Sequence, residues 1–185
     1  MQSYSYESGL LTIPNRYLID ENFNYVNSAT ITTYSWDASR TKNFKNITHV
    51  YIENSSGYYI NSESFAGWTS LEYIYYNMPL AYNTSWGSSY YQWLVNIGTT
   101  AKIKVELGPA VKGIPQYFFY NSTALKEIDF SQASSCVSIN SYGINSCSYL
   151  QKITLNEGMT TLYSNAITQC MRLQEIVMPS TLTSL

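Results

Sequence analysis

The sequence predicts an α/β solenoid. It should be built of right-handed coils of about 23–25 residues, with one parallel β-sheet face and short helical or irregular arcs. Three observations predict it. A six-residue apolar pattern recurs at near-constant spacing, a second pattern recurs between its copies, and charge is scarce where Tyr, Ser, Thr and Asn are abundant.

The first pattern is clearest near the end of the chain. Leu150-Gln-Lys-Ile153-Thr-Leu155 recurs as Leu173-Gln-Glu-Ile176-Val-Met178. Earlier copies are Leu125-Lys-Glu-Ile128-Asp-Phe130, Leu71-Glu-Tyr-Ile74-Tyr-Tyr76 and Ile47-Thr-His-Val50-Tyr-Ile52. The intervals from 47 to 71, 125 to 150 and 150 to 173 are 24, 25 and 23 residues. Apolar residues two apart are what a strand needs when one face is buried. The second pattern forms the return arc. Ile13, Ile60, Ile114, Ile139 and Leu162 make one apolar column, and Leu18, Phe65, Phe119, Ile144 and Ile167 follow five residues later. Glu21, Trp68, Ser122, Cys147 and Cys170 come three after those, and a strand-opening leucine usually follows three further on. One coil cannot bury its own apolar side, so neighbours must stack, with strands parallel at about 4.8 Å. A β-helix of pectate-lyase type is the rival. It would place strands in both halves of the coil and would not need the mid-coil column, so the leucine-rich form is the reading adopted.

Residues Ile139 to Leu155, and still more Leu162 to Pro179, resemble the BspA-like leucine-rich repeats of bacterial surface proteins (leucine-rich repeat type 5). The shared features are a small residue (Gly143, Ala166) before a large apolar one, Cys three before Leu, and Pro179 after the strand. The resemblance covers roughly residues 46–185 and departs at Phe118 and across 77–99. It implies a curved solenoid, display at a cell surface or outside the cell, adhesion to a host or neighbouring-cell protein or glycan, and no catalysis.

The domain reading follows. Residues 1–45 hold a partial first coil and an N-terminal cap. Residues 46–185 hold the repeats, with an aromatic insertion at 77–99 and a truncated last coil. Pro179-Ser-Thr-Leu182-Thr-Ser-Leu185 starts a coil without its second half, so self-association through an uncapped C-terminal end, or further sequence there, is expected.

The chain has 185 residues, a formal net charge of −2 and only 12% charged residues. That balance gives no case for nucleic acid. No apolar run is long enough to span a membrane, and Met1 to Glu7 does not have the form of a signal peptide, so a surface protein is here read without its leader. His49 is the only histidine, no serine lies in a nucleophile-elbow motif, and no Cys/His cluster exists. No enzyme, cofactor or metal is therefore expected. Cys147 and Cys170 occupy one column on adjacent coils and are read as small buried hydrophobes rather than a disulfide.

Candidate binding residues are aromatic. On the strands, the outward columns are expected to be His49, Tyr73, Lys102, Glu127, Lys152, Glu175 and Tyr51, Tyr75, Lys104, Asp129, Thr154, Val177. The charged half should keep the sheet soluble and in register. The aromatic half, Tyr51, Tyr73 and Tyr75, is a candidate contact patch. In the insertion, Ser88 or Ser89 could cap a helix from Tyr90 to Asn96, with Trp93 plugging the core. Tyr82, Trp86, Tyr90 and Tyr91 would then form a stacking platform for a sugar or peptide.

Overall fold

The computed structural model describes the backbone of residues 10–13, 17–19 and 25–27, and residues 48–53, 65, 67–79, 94, 97 and 102–184. Its main sheet has seven parallel strands. In spatial order these are β1 (Leu10–Ile13), β4 (His49–Glu53), β5 (Tyr73–Asn77), β6 (Ile103–Leu107), β8 (Leu125–Asp129), β11 (Lys152–Thr154) and β14 (Glu175–Val177). β5, β6 and β11 alternate buried and outward residues. Val50, Ile74, Val105, Ile128 and Ile153 form a buried column that is 0% exposed throughout.

The return arcs are extended. β7 (Phe119–Tyr120), β10 (Ile144–Asn145) and β13 (Ile167–Thr168) form a second parallel sheet, in register at Phe119, Ile144 and Ile167. β9 (Ser138–Ile139) and β12 (Thr161–Leu162) form a third face, continued by a bridge from Ile114 to Ile139. The apolar columns of the arcs therefore stack as their spacing predicts. No helix occurs among the described residues; the expected helical arcs are here short strands and turns. Strands in both halves of the coil were the mark of the β-helix rival. They are only two residues long, however, and the mid-coil column is present, so the coil stays consistent with the leucine-rich form.

Sharp corners let the chain turn between the three faces. The residue before Trp68, Ser122, Cys147 and Cys170 of the mid-coil column has positive φ: Gly67 at 80°, Asn121 at 52°, Ser146 at 58° and Gln169 at 54°. Tyr117, Tyr142 and Asn165, two residues before the second-sheet strands, have φ of 62°, 58° and 58°. Left-handed backbone is costly outside glycine and asparagine. Several corners are held by hydrogen bonds between coils: Tyr117 N donates to Tyr142 O at 3.1 Å, Tyr142 N to Asn165 O at 3.0 Å and Ser146 N to Thr168 O at 3.1 Å. After the corner, Leu71, Leu125, Leu150 and Leu173 donate back to the carbonyls of Trp68, Ser122, Cys147 and Cys170 at 3.0–3.3 Å. That turn delivers the chain to the next strand.

Two placements differ from the sequence reading. Ile13 joins the main sheet opposite Ile52 instead of the Ile114 column, and β2 (Tyr17–Ile19) pairs antiparallel with β3 (Tyr25–Asn27). Asp20-Glu-Asn-Phe-Asn24 between them is rich in turn formers, which favours a hairpin over an arc. At β6 the central apolar residue is Val105, which pairs with Ile74, not Ile103. A two-residue shift keeps the same side chains inward, so hydrophobic pattern cannot detect it. The chain regains the repeat with one extra residue, Lys126, between the partners of Ile103 and Lys104.

The core runs without a break along the solenoid. Phe118, which departs from the small-residue position, is buried at 2% exposure, edge-on to Phe119 at 4.8 Å and to Tyr76 at 5.4 Å. In the next coil that position is Gly143. A Cβ there would lie 2.8 Å from Ile139 Cγ2 and 2.9 Å from Asn140 O. One coil later Ala166 is accommodated, where the residue four before it is Leu162, with no branch at Cβ. Gly143→Ala should therefore cost about 1–3 kcal/mol of stability. Ile139→Leu should return part of that loss. Denaturant unfolding of the two single variants and the double variant checks this; additive losses would refute the contact.

Candidate functional site

The outward face of the main sheet divides in two. Pairing places His49, Tyr73, Lys104, Glu127, Lys152 and Glu175 on one rung, and Tyr51, Tyr75, Glu106, Asp129, Thr154 and Val177 on the next. Lys104 and Glu106 thus stand where the simple repeat put Lys102 and Lys104. Lys102 instead reaches back to Glu72 at 2.8 Å.

The aromatic half is a continuous ladder. His49 lies 5.4 Å from Tyr73, Tyr73 lies 5.8 Å from Tyr51, and Tyr51 lies 5.9 Å from Tyr75, all as tilted rings. The rings alternate between strands β4 and β5, so parallel pairing alone brings them together. All four are half-buried and present the rest of their surface to solvent. The His49 ring is further fixed by Thr48 Oγ1, 2.9 Å from Nδ1.

The charged half holds the ladder's border. Tyr73 donates its hydroxyl to Glu106 Oε2 at 3.0 Å. Burial and that carboxylate raise the Tyr73 phenol well above its ordinary value, so it stays neutral. Lys104 sits among three carboxylates: Asp129 at 2.8 Å, Glu127 at 3.7 Å and Glu106 at 4.0 Å. Burial opposes its charge, but the carboxylates outweigh burial and raise its pKa. Burial likewise opposes the Asp129 charge, and hydrogen bonds from Lys104 and Ser131 N hold the carboxyl below its ordinary value. Lys152 pairs with Glu175 at 3.2 Å. The expected alternation of sign is therefore a set of real contacts between coils. Carboxylates bound to a lysine on an open sheet are poorly placed for acid–base chemistry.

Of the candidate residues, Tyr51, Tyr73 and Tyr75 come together in one patch. Tyr82, Trp86, Tyr90 and Tyr91 lie outside the described residues, as does most of the helix expected from Tyr90 to Asn96. Trp93 also lies outside the described residues, whereas Leu94 and Ile97 are buried at 0% and 1% exposure and belong to the core. No group of His, Cys, Asp and Glu able to hold a metal occurs among the described residues. No helix among them is long and apolar enough to cross a membrane.

The cysteines are free thiols. Burial pushes the Cys136 thiol up to about 12. Cys147 and Cys170 meet on adjacent coils, as their shared column predicts. Burial and the Cys170 neighbour raise the Cys147 thiol, whereas the hydrogen bond from Cys147 lowers that of Cys170. Cys147 Sγ also lies 2.7 Å from Phe119 O, so this thiol touches groups of three successive coils.

Sequence reasoning missed a second aromatic group on the arc. Tyr117 and Tyr142 stack at 5.7 Å and 11°, and Tyr120 meets Tyr117 edge-on at 5.6 Å. The signal was available: Tyr117 and Tyr142 hold the same place in successive coils, two before Phe119 and Ile144.

The family model described as BspA type leucine rich repeat region matches residues 98–185, in six copies. The main sheet carries the same stacking beyond that span, through β5, β4 and β1. No curated protein and no solved structure matches the chain.

The Lys104 cluster makes a pH prediction. The Asp129 pKa is lowered in the fold, so its contribution is complete above the ordinary 3.8 and is lost as pH falls through the folded value. The Lys104 pKa is raised, so its contribution is complete below the ordinary 10.5 and is lost as pH rises through the folded value. Partial exposure of both groups limits the pair to about 1 kcal/mol. Asp129→Asn should be less stable than the parent by that amount near neutrality, and the gap should close in acid below 3.8. Urea midpoints across pH check this; a gap constant with pH would contradict it.

Proposed function

We propose, from the premise that residues 98–185 are a BspA-type leucine-rich repeat region, that the protein is a non-enzymatic recognition module. It is displayed outside a bacterial cell and adheres to a protein of a host or neighbouring cell. The observation that carries this reading is the tyrosine ladder, with the Tyr51 ring between Tyr73 and Tyr75 on an open sheet face. Tyrosine offers large contact area for little ordering entropy, which suits adaptable binding surfaces.

A protein fits this patch better than a glycan. The ladder is bordered by half-exposed ion pairs, Lys104 with Asp129 and Lys102 with Glu72. Such a border complements charged side chains of a partner and helps set its orientation. The insertion residues Tyr82, Trp86, Tyr90 and Tyr91 belong to the proposed contact surface through their sequence position beside β5.

A second reading is a spacer or assembly segment of a larger surface or virion fibre. It is favoured by the last described coil, where Met171, Val177 and Met178 are 89%, 40% and 48% exposed and Ile176 is only partly buried. The two readings separate by where binding is lost.

Screening the chain against arrayed extracellular proteins and glycans, beside Tyr51→Ala and Tyr75→Ala, tests the first reading. A tyrosine at the centre of a contact is worth about 2 kcal/mol, so each variant should lose about 30-fold in affinity for the protein partner. Binding left intact in both variants would reject the ladder. Self-association abolished by Val177→Lys, with no other ligand, would favour the assembly reading.

A further inference from the structure

The arc face differs in chemistry from the main sheet. Residues 114–123, 139–148 and 162–171, the central parts of its three coils, contain no Asp, Glu, Lys, Arg or His, and Arg172, just after the last of them, lies over the Tyr149 ring at 4.3 Å. The ion pairs among the described residues lie on or beside the main sheet. The arc surface is instead aromatic and amide-bearing. Tyr117 and Tyr142 form a near-parallel pair at one corner, with Tyr120 edge-on beside them, all three half-buried. Across the second sheet, Ser146 Oγ lies 2.7 Å from the Gln169 amide oxygen and 2.8 Å from that of Asn145.

The tyrosine pair occupies costly backbone. Both residues are left-handed, at φ of 62° and 58°. In the next coil the same corner is Asn165, the residue type that tolerates this conformation best outside glycine. One stacked pair returns less than two left-handed residues take away, so stability alone does not account for two tyrosines here. Departures from the local rule without a net gain mark functional positions. Beyond Tyr142 the column steps down to the short, exposed Asn165, which leaves room beside the ring.

We propose that this arc face is a second binding site, separate from the tyrosine ladder, and that its ligand is a neutral hexose unit of a glycan. The C–H face of a pyranose ring packs on the Tyr142 ring. Its hydroxyls, each donor and acceptor, match the Ser146 hydroxyl and the Gln169 and Asn165 amides, which also offer both roles. Residues 117–121, 142–146 and 165–169 carry no charged side chain and give little compensation for desolvating a carboxylate or sulfate, so acidic sugars are disfavoured.

The test uses the whole chain and three probes: gluco-, galacto- and manno-oligosaccharides as the neutral panel, glucuronate-bearing oligosaccharides, and sulfated oligosaccharides. The variants are Tyr142→Asn, Gln169→Ala and, as control, Tyr51→Ala. Asparagine suits the left-handed corner, so Tyr142→Asn should keep the parent thermal midpoint or exceed it. At least one neutral oligosaccharide should bind the parent. Its affinity should fall about tenfold in Tyr142→Asn and stay unchanged in Tyr51→Ala. Amide chemical-shift changes in the parent should cluster at residues 117–121, 142–146 and 165–169. They keep the proposal falsifiable whatever a variant does to folding. No binding by the neutral panel, preference for the acidic probes, shifts confined to the main sheet, or full binding by both Tyr142→Asn and Gln169→Ala would overturn it. The protein-binding reading of the ladder stands or falls separately, on Tyr51→Ala and Tyr75→Ala with a protein partner.

Discussion

Parallel backbone pairing between neighbouring coils is the constraint on which the rest of the molecule depends. A coil of about two dozen residues has no interior of its own, so its apolar side chains are covered only when the next coil lies against them. Pairing sets that alignment for all three faces together. It stacks Val50, Ile74, Val105, Ile128 and Ile153 inside the main sheet, Phe119 and Ile144 inside the second, and Ile114 and Ile139 along the third. It also decides what meets on the outside. The tyrosine ladder, the Lys104 cluster and the Tyr117–Tyr142 stack are contacts between different coils, and none would exist within one coil alone.

The period was legible because the buried columns repeat by residue type. Leucine opens the strands at 71, 125 and 150, and the Trp/Ser/Cys column falls three residues earlier each time. Other features were hidden for physical reasons. Ile103-Lys-Val105-Glu-Leu107 alternates perfectly, so either Ile103 or Val105 could face Ile74 without exposing an apolar side chain. The choice moved Glu106 beside Tyr73 and Lys104 beside Glu127, which rewrote the outward face while leaving the core unchanged. The left-handed corners were equally hidden. Gly67 suggests one, but Ser146, Gln169 and the two tyrosines carry no local propensity for it. Tyr117, Tyr142 and Ser146 are held by backbone hydrogen bonds to the next coil, a tertiary effect that overrides residue preference.

The candidate site was legible only in part. Tyr51, Tyr73 and Tyr75 were found because strand alternation projects them to one side, and stacking brings their rings within 5.9 Å. The arc tyrosines escaped because attention to strands treats the return half as connection. The structure makes the arc a sheet face of its own, with a different chemical character. The ion pairs among the described residues lie on or beside the main sheet, whereas the second sheet is lined by tyrosines and side-chain amides, with the core between the two faces.

Coil-to-coil pairing is most open to test at the step from β5 to β6. There Lys104 N donates to Glu72 O and Gly108 N to Tyr76 O, each at 2.9 Å. Scalar couplings across hydrogen bonds, measured by NMR on uniformly labelled protein, report such donor and acceptor pairs directly. Couplings are expected from the Lys104 amide nitrogen to the Glu72 carbonyl carbon and from Gly108 to Tyr76. Coupling of Lys102 to Glu72 and of Glu106 to Tyr76 would mean that Ile103 faces Ile74. The outward face described here, with its tyrosine ladder held by Glu106, would then be wrong.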